Sequence, residues 1–142
     1  MLSTMTHTFM TKKTVFFDTG AWFAMSDGSD QYHANAIAHV NEGNEIKTTN
    51  LVVHETFMLI SRKLSRKAAI VFLSEIYSDQ TVEVFHSDEA LEQEAFQTIR
   101  SYPDQDFSVA DCVSFALMKR KGIRRAFTFD KHFKTMRFSV EP

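Results

Sequence analysis

The stretch from Asp104 to Phe133, DQDFSVADCVSFALMKRKGIRRAFTFDKHF, admits few folds, because one glycine joins an almost wholly apolar helix to a short buried strand. Ser108 suits an N-cap, and Asp111, three residues on, suits the reciprocal half of a capping box. Val109, Cys112, Val113, Phe115, Ala116 and Leu117 give a strongly apolar helix that Gly122 ends. Ile123 to Phe129 reads as a buried strand stopping on Asp130, before a polar and aromatic turn of Lys131, His132 and Phe133. Asp111 is therefore expected in the first turn of a helix and Asp130 at the C-terminal tip of a strand. In parallel α/β sheets that tip is where sites are built.

The rest of the chain repeats the pattern. Thr14 to Phe17 is another short apolar run that ends on an aspartate, Asp18, and is expected to be a buried central strand. Helical segments follow over Ala21 to Met25 and from Asp30 to Gly43, the second with Ala34, Ile37, Ala38 and Asn41 on a weakly apolar face. Glu45 to Thr49 reads as a strand, and Asn50 as the N-cap of a long helix through Leu64 with Val53, Phe57, Ile60 and Leu64 as its core stripe. Glu55 interrupts the apolar run near the start of that helix. A carboxylate so placed must be exposed, paired or bound to something, since an unpaired buried charge is prohibitively costly. Ser65 caps a helix with Ala69, Phe72, Leu73 and Ile76 at i, i+3, i+4 and i+7. Thr81 to Phe85 alternates as an edge strand would. Ser87 and Asp88 open a helix that buries Leu91, Ala95 and Ile99 and ends at Tyr102 and Pro103. Phe138 to Val140 is a last short strand.

Strands alternating with helices imply an α/β domain with a mainly parallel sheet and right-handed crossovers. At 142 residues the chain fits one domain, and 14 Phe against only 4 Gly and 2 Pro argue for a packed globule without linkers. That domain is expected over residues 14–142, with residues 1–13 as a flexible N-terminal extension. Nothing in the opening residues resembles a secretory signal, and no apolar run approaches membrane-spanning length, so a soluble protein with no membrane partner is expected. The lone Cys112, on the apolar helix, reads as a small buried hydrophobe in a reducing, cytoplasmic setting.

On this fold Asp18 and Asp130 end strands, while Glu55 and Asp111 begin helices on the same edge. Carboxylates converging on one crevice cannot all stay ionised without a counter-charge. A divalent cation with hard oxygen ligands and retained waters, Mg²⁺ or Mn²⁺, answers that need. Each acid also has an ordinary explanation: Asp111 closing its capping box, Asp130 capping a turn, Glu55 pairing with a cation, Asp18 starting a turn. All four together are improbable as coincidences. The net charge of −2 hides a segregation. Acids crowd the span from Glu75 to Glu94, whereas Arg62, Lys63, Arg66 and Lys67, and then Lys119, Arg120, Lys121, Arg124 and Arg125, form basic clusters suited to phosphates or to solvated helix faces.

Other signals weigh less. His33, His39, His54, His86 and His132 show no paired ligand spacing, which argues against zinc. Asp104 and Asp106 read as a solvated loop, and Trp22 and the phenylalanines as core. The tetrapeptide DTGA at Asp18 also occurs in aspartic proteases, but it appears once here and that fold is all-β. Aspartyl-phosphate chemistry wants an acid where Gly20 stands.

Four segments, VFFDTGAW around Asp18, TTNLVVHET reaching Glu55, DFSVADCVSFALMKRKGI around Asp111 and FTFDKHF around Asp130, resemble the PIN-domain family, most closely its small VapC-type toxin nucleases. The resemblance implies a three-layer α/β/α sandwich with strand order 3-2-1-4-5 and Mg²⁺- or Mn²⁺-dependent endoribonuclease activity. It implies Asp18, Glu55, Asp111 and Asp130 as the catalytic and metal-binding acids, with Asp18 and Asp111 as direct ligands and Thr19 and Thr128 as supporting hydroxyls. It also implies an RNA substrate, a homodimer and a small cognate antitoxin. A non-catalytic domain of this fold that binds RNA or protein is the alternative. Met136 stands where a glycine often precedes the last aromatic.

Overall fold

The computed structural model describes residues 13–142, so the N-terminal extension lies, but for Lys13, outside the described residues. Five strands form one sheet in the order β3-β2-β1-β4-β5. They are β1 (Thr14–Phe17), β2 (Glu45–Thr49), β3 (Val82–Phe85), β4 (Arg125–Phe127) and β5 (Ser139–Glu141). Every neighbouring pair is parallel, with Phe16 opposite Lys47 on one side and Ala126 on the other. The helices are α1 (Thr19–Ser26), α2 (His33–Asn41), α3 (Asn50–Lys63), α4 (Arg66–Ser78), α5 (Glu89–Ser101), α6 (Val109–Lys121) and α7 (Lys131–Thr135). α1 to α4 pack together as one group and α5 to α7 as another, giving the α/β/α sandwich with the strand order anticipated above. A parallel sheet excludes the all-β protease fold. No helix of the described residues is long and apolar enough to cross a membrane.

The core forms where β1 and α6 meet the rest. Val15, Phe16 and Phe17 are fully buried, as expected of a central strand covered on both faces. On α6 every residue from Cys112 to Met118 is buried, so the helix is apolar all round until Lys119. The Ser108–Asp111 capping box closes its N-terminus, and Gly122, at φ 69, its C-terminus. A left-handed residue there lets the Ile123 N–H reach the Met118 carbonyl at 2.8 Å, a bond that an L side chain would strain. Burial pushes the Cys112 thiol up to about 11, which leaves it an inert part of the core.

Several local expectations shift. Thr49, not Asn50, caps α3, its hydroxyl accepting from the Val52 N–H, while the Asn50 amide oxygen accepts from Ser87 N–H at 2.8 Å. Leu64 is the exposed C-cap of α3, and Val52 and Thr56 join Val53 and Ile60 in the buried stripe. α2 begins at His33, because the carboxylates of Asp27 and Asp30 accept from N–H groups two residues on and hold turns instead. Its buried face is Ala36 and His39; Ala34 is exposed. β4 stops at Phe127, and Lys131–Thr135 is a short helix in place of a turn. Arg137, next after Met136 and directly before the last aromatic, is left-handed at φ 71.

Candidate active site

All four acids line one open cleft of about 410 Å³ at the C-terminal edge of the sheet, together with Thr19, Gly20, Asp106, Ser108, Phe129 and His132. Asp18 arrives there because β1 ends on it. Its backbone still pairs with β4, N–H to the Phe127 carbonyl at 3.1 Å, and its own carbonyl starts α1. As N-cap of α1 its carboxylate makes no capping bond within the helix. It turns instead to the buried Thr128, whose hydroxyl donates to Asp18 Oδ2 at 2.8 Å. Burial pushes the Asp18 carboxyl up from 3.8 to about 7, against the opposing hydrogen bonds from Thr128 and the Thr19 backbone; the charges of Asp111 and Glu55 push the same way as burial.

Asp111 does two things at once. Its backbone N–H donates to Ser108 Oγ at 3.0 Å, and its Oδ2 accepts from the Ser108 N–H at 3.1 Å, while the same carboxylate faces the cleft. Burial raises its pKa as well, with the Asp130 charge adding to the effect. Glu55 lies in the second turn of α3, not the first, and is exposed at the cleft. The Thr19 hydroxyl holds it, donating to Glu55 Oε1 at 2.5 Å. Asp130 caps α7, its Oδ1 accepting from the His132 N–H at 2.9 Å, and its own N–H donates to Thr128 Oγ1 at 3.0 Å. Thr128 thus ties the tip of β1 to the start of α7, a hydroxyl serving two acids.

His132 is the residue that sequence reasoning passed over. Its Nδ1 lies 3.1 Å from Asp130 Oδ1 and 3.4 Å from Asp111 Oδ2, buried and without a hydrogen bond of acceptable geometry. Phe107 meets its ring edge-on at 5.0 Å, and the fully buried Phe133, packed on Phe115 at 5.0 Å, anchors the next residue of α7. Asp111, Asp130 and His132 offer three ligand atoms close enough to share one ion. The spacing Asp130-x-His132 was the available signal, though one histidine after an aspartate is weak until the fold brings Asp111 beside it. The donor set, oxygen-rich with one buried nitrogen between two carboxylates, fits a divalent cation.

The basic residues sit elsewhere. Arg62 and Lys63 end α3 and Arg66 and Lys67 begin α4, all exposed, at the end of α3 away from Glu55. Lys119 to Lys121 end α6, about 12–15 Å along its axis from Asp111 at 1.5 Å per residue. Arg120 pairs with Glu94 at 3.1 Å, Lys121 lies over the Phe85 ring, and Arg125 pairs with Glu141 at 2.7 Å. Arg124 is exposed just before β4. Lys131, exposed beside Asp130, is nearer in sequence to the cleft than any of these.

The comparisons with known proteins agree with this architecture. The 23S rRNA-specific endonuclease VapC20 of Mycobacterium tuberculosis is 30% identical over 125 residues, 87% of this chain and 95% of the relative. The crystal structure of VapC20, a sarcin–ricin loop cleaving toxin, matches with a TM-score of 0.79 over 87% of this chain and 95% of that one. Two more distant structures share the fold: VapBC2 of Rickettsia felis bound to a promoter DNA fragment (TM-score 0.65, 11% identity, 90% of this chain and 97% of that one) and FitAcB of Neisseria gonorrhoeae (0.65, 18%, 90% and 96%). A family model, the PIN domain, matches residues 15–139. With the strand order in place and all four acids inside the matched span, the chain belongs to the PIN domain family.

Proposed function

We propose that this protein is a metal-dependent endoribonuclease that hydrolyses RNA phosphodiester bonds and acts as the toxin of a toxin–antitoxin pair. The observation that supports this best is the cleft itself: Asp18, Glu55, Asp111 and Asp130 face one another with His132 Nδ1 between two of them. Burial, and to a lesser extent neighbouring acids, raises the pKa of Asp18 and Asp111, a charge cost that a bound cation would offset. Mg²⁺ or Mn²⁺ suits the oxygen-rich donor set. Asp18, Asp111 and Asp130 would hold the ion, with His132 as a further donor. The chemistry such an ion supplies when bound is charge neutralisation at the phosphate and a water acidified enough to attack near neutral pH.

The chain's own residues do the rest. Thr128 fixes Asp18 and the backbone of Asp130 in one register, so the ligand oxygens are set before any ion arrives. The N-terminus of α6 favours the ionised form of Asp111. Glu55, exposed and steered by Thr19, is placed to orient the attacking water and take its proton. The resemblance to VapC20 makes large-subunit ribosomal RNA, and its sarcin–ricin loop, the first substrate to test. The partners in this reading are RNA, a second copy of the chain, and an antitoxin whose arginine could occupy the cation position and form bidentate pairs with two acids.

Purified protein should cleave such RNA with Mg²⁺ or Mn²⁺, stop on addition of EDTA, and lose cleavage on Asp111→Asn with its fold intact. Cleavage that persists in EDTA, or in Asp111→Asn, would refute the assignment. Growth arrest on expression, relieved by a co-expressed neighbouring small protein, tests the toxin part separately.

A further inference from the structure

Phe129 is the one phenylalanine among the described residues that stands exposed, with 49% of its surface open. Every other one is buried or half-buried, where such a side chain is most stable. Its place is not that of a stray surface residue. It lies between Thr128 and Asp130, lines the acidic cleft, and is supported from behind. The Tyr32 ring packs on it at 4.8 Å and an interplanar angle of 41°, and Phe127 meets it edge-on at 5.9 Å. Gly20 lies so close that a Cβ there would come within 2.5 Å of the ring carbon Cδ2. A residue without a side chain at the second position of α1 is what allows the ring to rest there, beside Asp18. The result is a fixed aromatic surface at the rim of the cleft, supported on one side and open on the other.

An acidic cleft with basic clusters at the far ends of its helices does not by itself set the register of an RNA chain, since phosphate contacts are indifferent to which nucleotide lies where. Stacking on an aromatic ring supplies that register. It requires a base free of its neighbours: in an A-form duplex each base is already stacked, so both its faces are covered. We infer that Phe129 is a base-stacking subsite, taking an unpaired nucleobase next to the phosphate that a cation would bridge to the acids. This rests on the ribonuclease reading above and narrows its substrate class to RNA with an unstacked base at the cut, in a loop or a single strand.

The test uses Asp111→Asn protein as a non-cleaving background and a short single-stranded RNA carrying one 2-aminopurine. Stacking should quench the 2-aminopurine, and Phe129→Leu, similar in bulk but without a π face, should abolish the quench and weaken binding by about tenfold or more. Phe129→Trp should retain both. Gly20→Ala, which pushes the ring aside, should reproduce the loss and covers the case in which Phe129→Leu misfolds. An RNA with an abasic position should bind the intact protein as weakly as the complete RNA binds Phe129→Leu, and fully duplex RNA should be indifferent to residue 129. In cleaving protein the same changes should raise KM more than they lower kcat. Unchanged binding and quench in Phe129→Leu would overturn the subsite, as would a change confined to sedimentation, which would mean that a second copy covers the ring. Cleavage indifferent to Phe129 removes the subsite and leaves the nuclease. Phe129-dependent quench without cleavage under any metal removes the nuclease and leaves the subsite.

Discussion

Replacing Asp18 by Asn should make the metal-free protein more stable while removing its proposed activity. The Asp18 carboxyl is buried and pushed up to about 7 from an ordinary 3.8. A group whose folded pKa is raised contributes stability that is fully present below the unfolded value and lost as pH rises through the folded one. For Asp18 the loss therefore begins near pH 4 and is complete a little above pH 7. At about 1.4 kcal/mol per pH unit across that window, it reaches about 4 kcal/mol, an upper bound because the cleft is open to water. Asn is neutral throughout and its amide oxygen can still accept from Thr128 Oγ1, so it escapes the loss. The assay is urea unfolding in EDTA at pH 4 and pH 8. The two proteins should unfold alike at pH 4, and Asp18→Asn should be the more stable by up to about 4 kcal/mol at pH 8. Adding Mn²⁺ at pH 8 should stabilise the wild type more than Asp18→Asn, which keeps Asp111, Asp130 and His132 but lacks the Asp18 charge, since binding to the folded state raises stability. A variant no more stable than the wild type at pH 8 would refute the reasoning.

Three further outcomes follow from the same geometry. Thr128→Val removes the hydroxyl that serves both Asp18 and the Asp130 N–H, so it should cost about 1–3 kcal/mol at pH 5 by urea unfolding and require more Mn²⁺ for saturation. His132→Ala removes a buried nitrogen that a first-row ion accepts more readily than Mg²⁺ does; calorimetric titration should show Mn²⁺ affinity falling about tenfold with Mg²⁺ affinity nearly unchanged. Arg137→Gly relieves a left-handed residue between α7 and β5 and should raise stability by up to about 1 kcal/mol, with no change in cation binding.

The strand that ends at Asp18 was legible because a short apolar run ending on an acid has little else to be; the run before Asp130 was legible as a strand too, but it stops at Phe127, and Asp130 caps α7 instead of ending β4. The capping box was legible because Ser108 and Asp111 satisfy each other locally. What escaped depends on contacts between segments far apart in the chain. Asn50 looks like a cap until the fold offers it the Ser87 N–H, 37 residues away, and Thr49 takes over the capping. Leu64 fits the stripe of α3 by spacing but sits where the helix ends and turns outward. Phe129 continues the alternation of Phe127, and only the early end of β4 reveals that it lies outside the sheet. His132 lacks any partner in sequence because its two neighbours are Asp130 and, 21 residues earlier, Asp111.

These exceptions are not scattered over the molecule. A buried carboxyl whose pKa is pushed up to about 7, an imidazole nitrogen set between two carboxylates and an exposed phenylalanine all border one cleft. Asp111 is held by its capping box with no ligand at all, yet burial still raises its pKa. Asp18 accepts from Thr128 and His132 lies against two acids, whereas Phe129 leaves about half of its surface open. In the proposed reading a cation would offset the charge buried at Asp18 and Asp111 and a nucleobase would cover Phe129, so one ligand, a cation-bridged phosphate beside an unpaired base, would answer both.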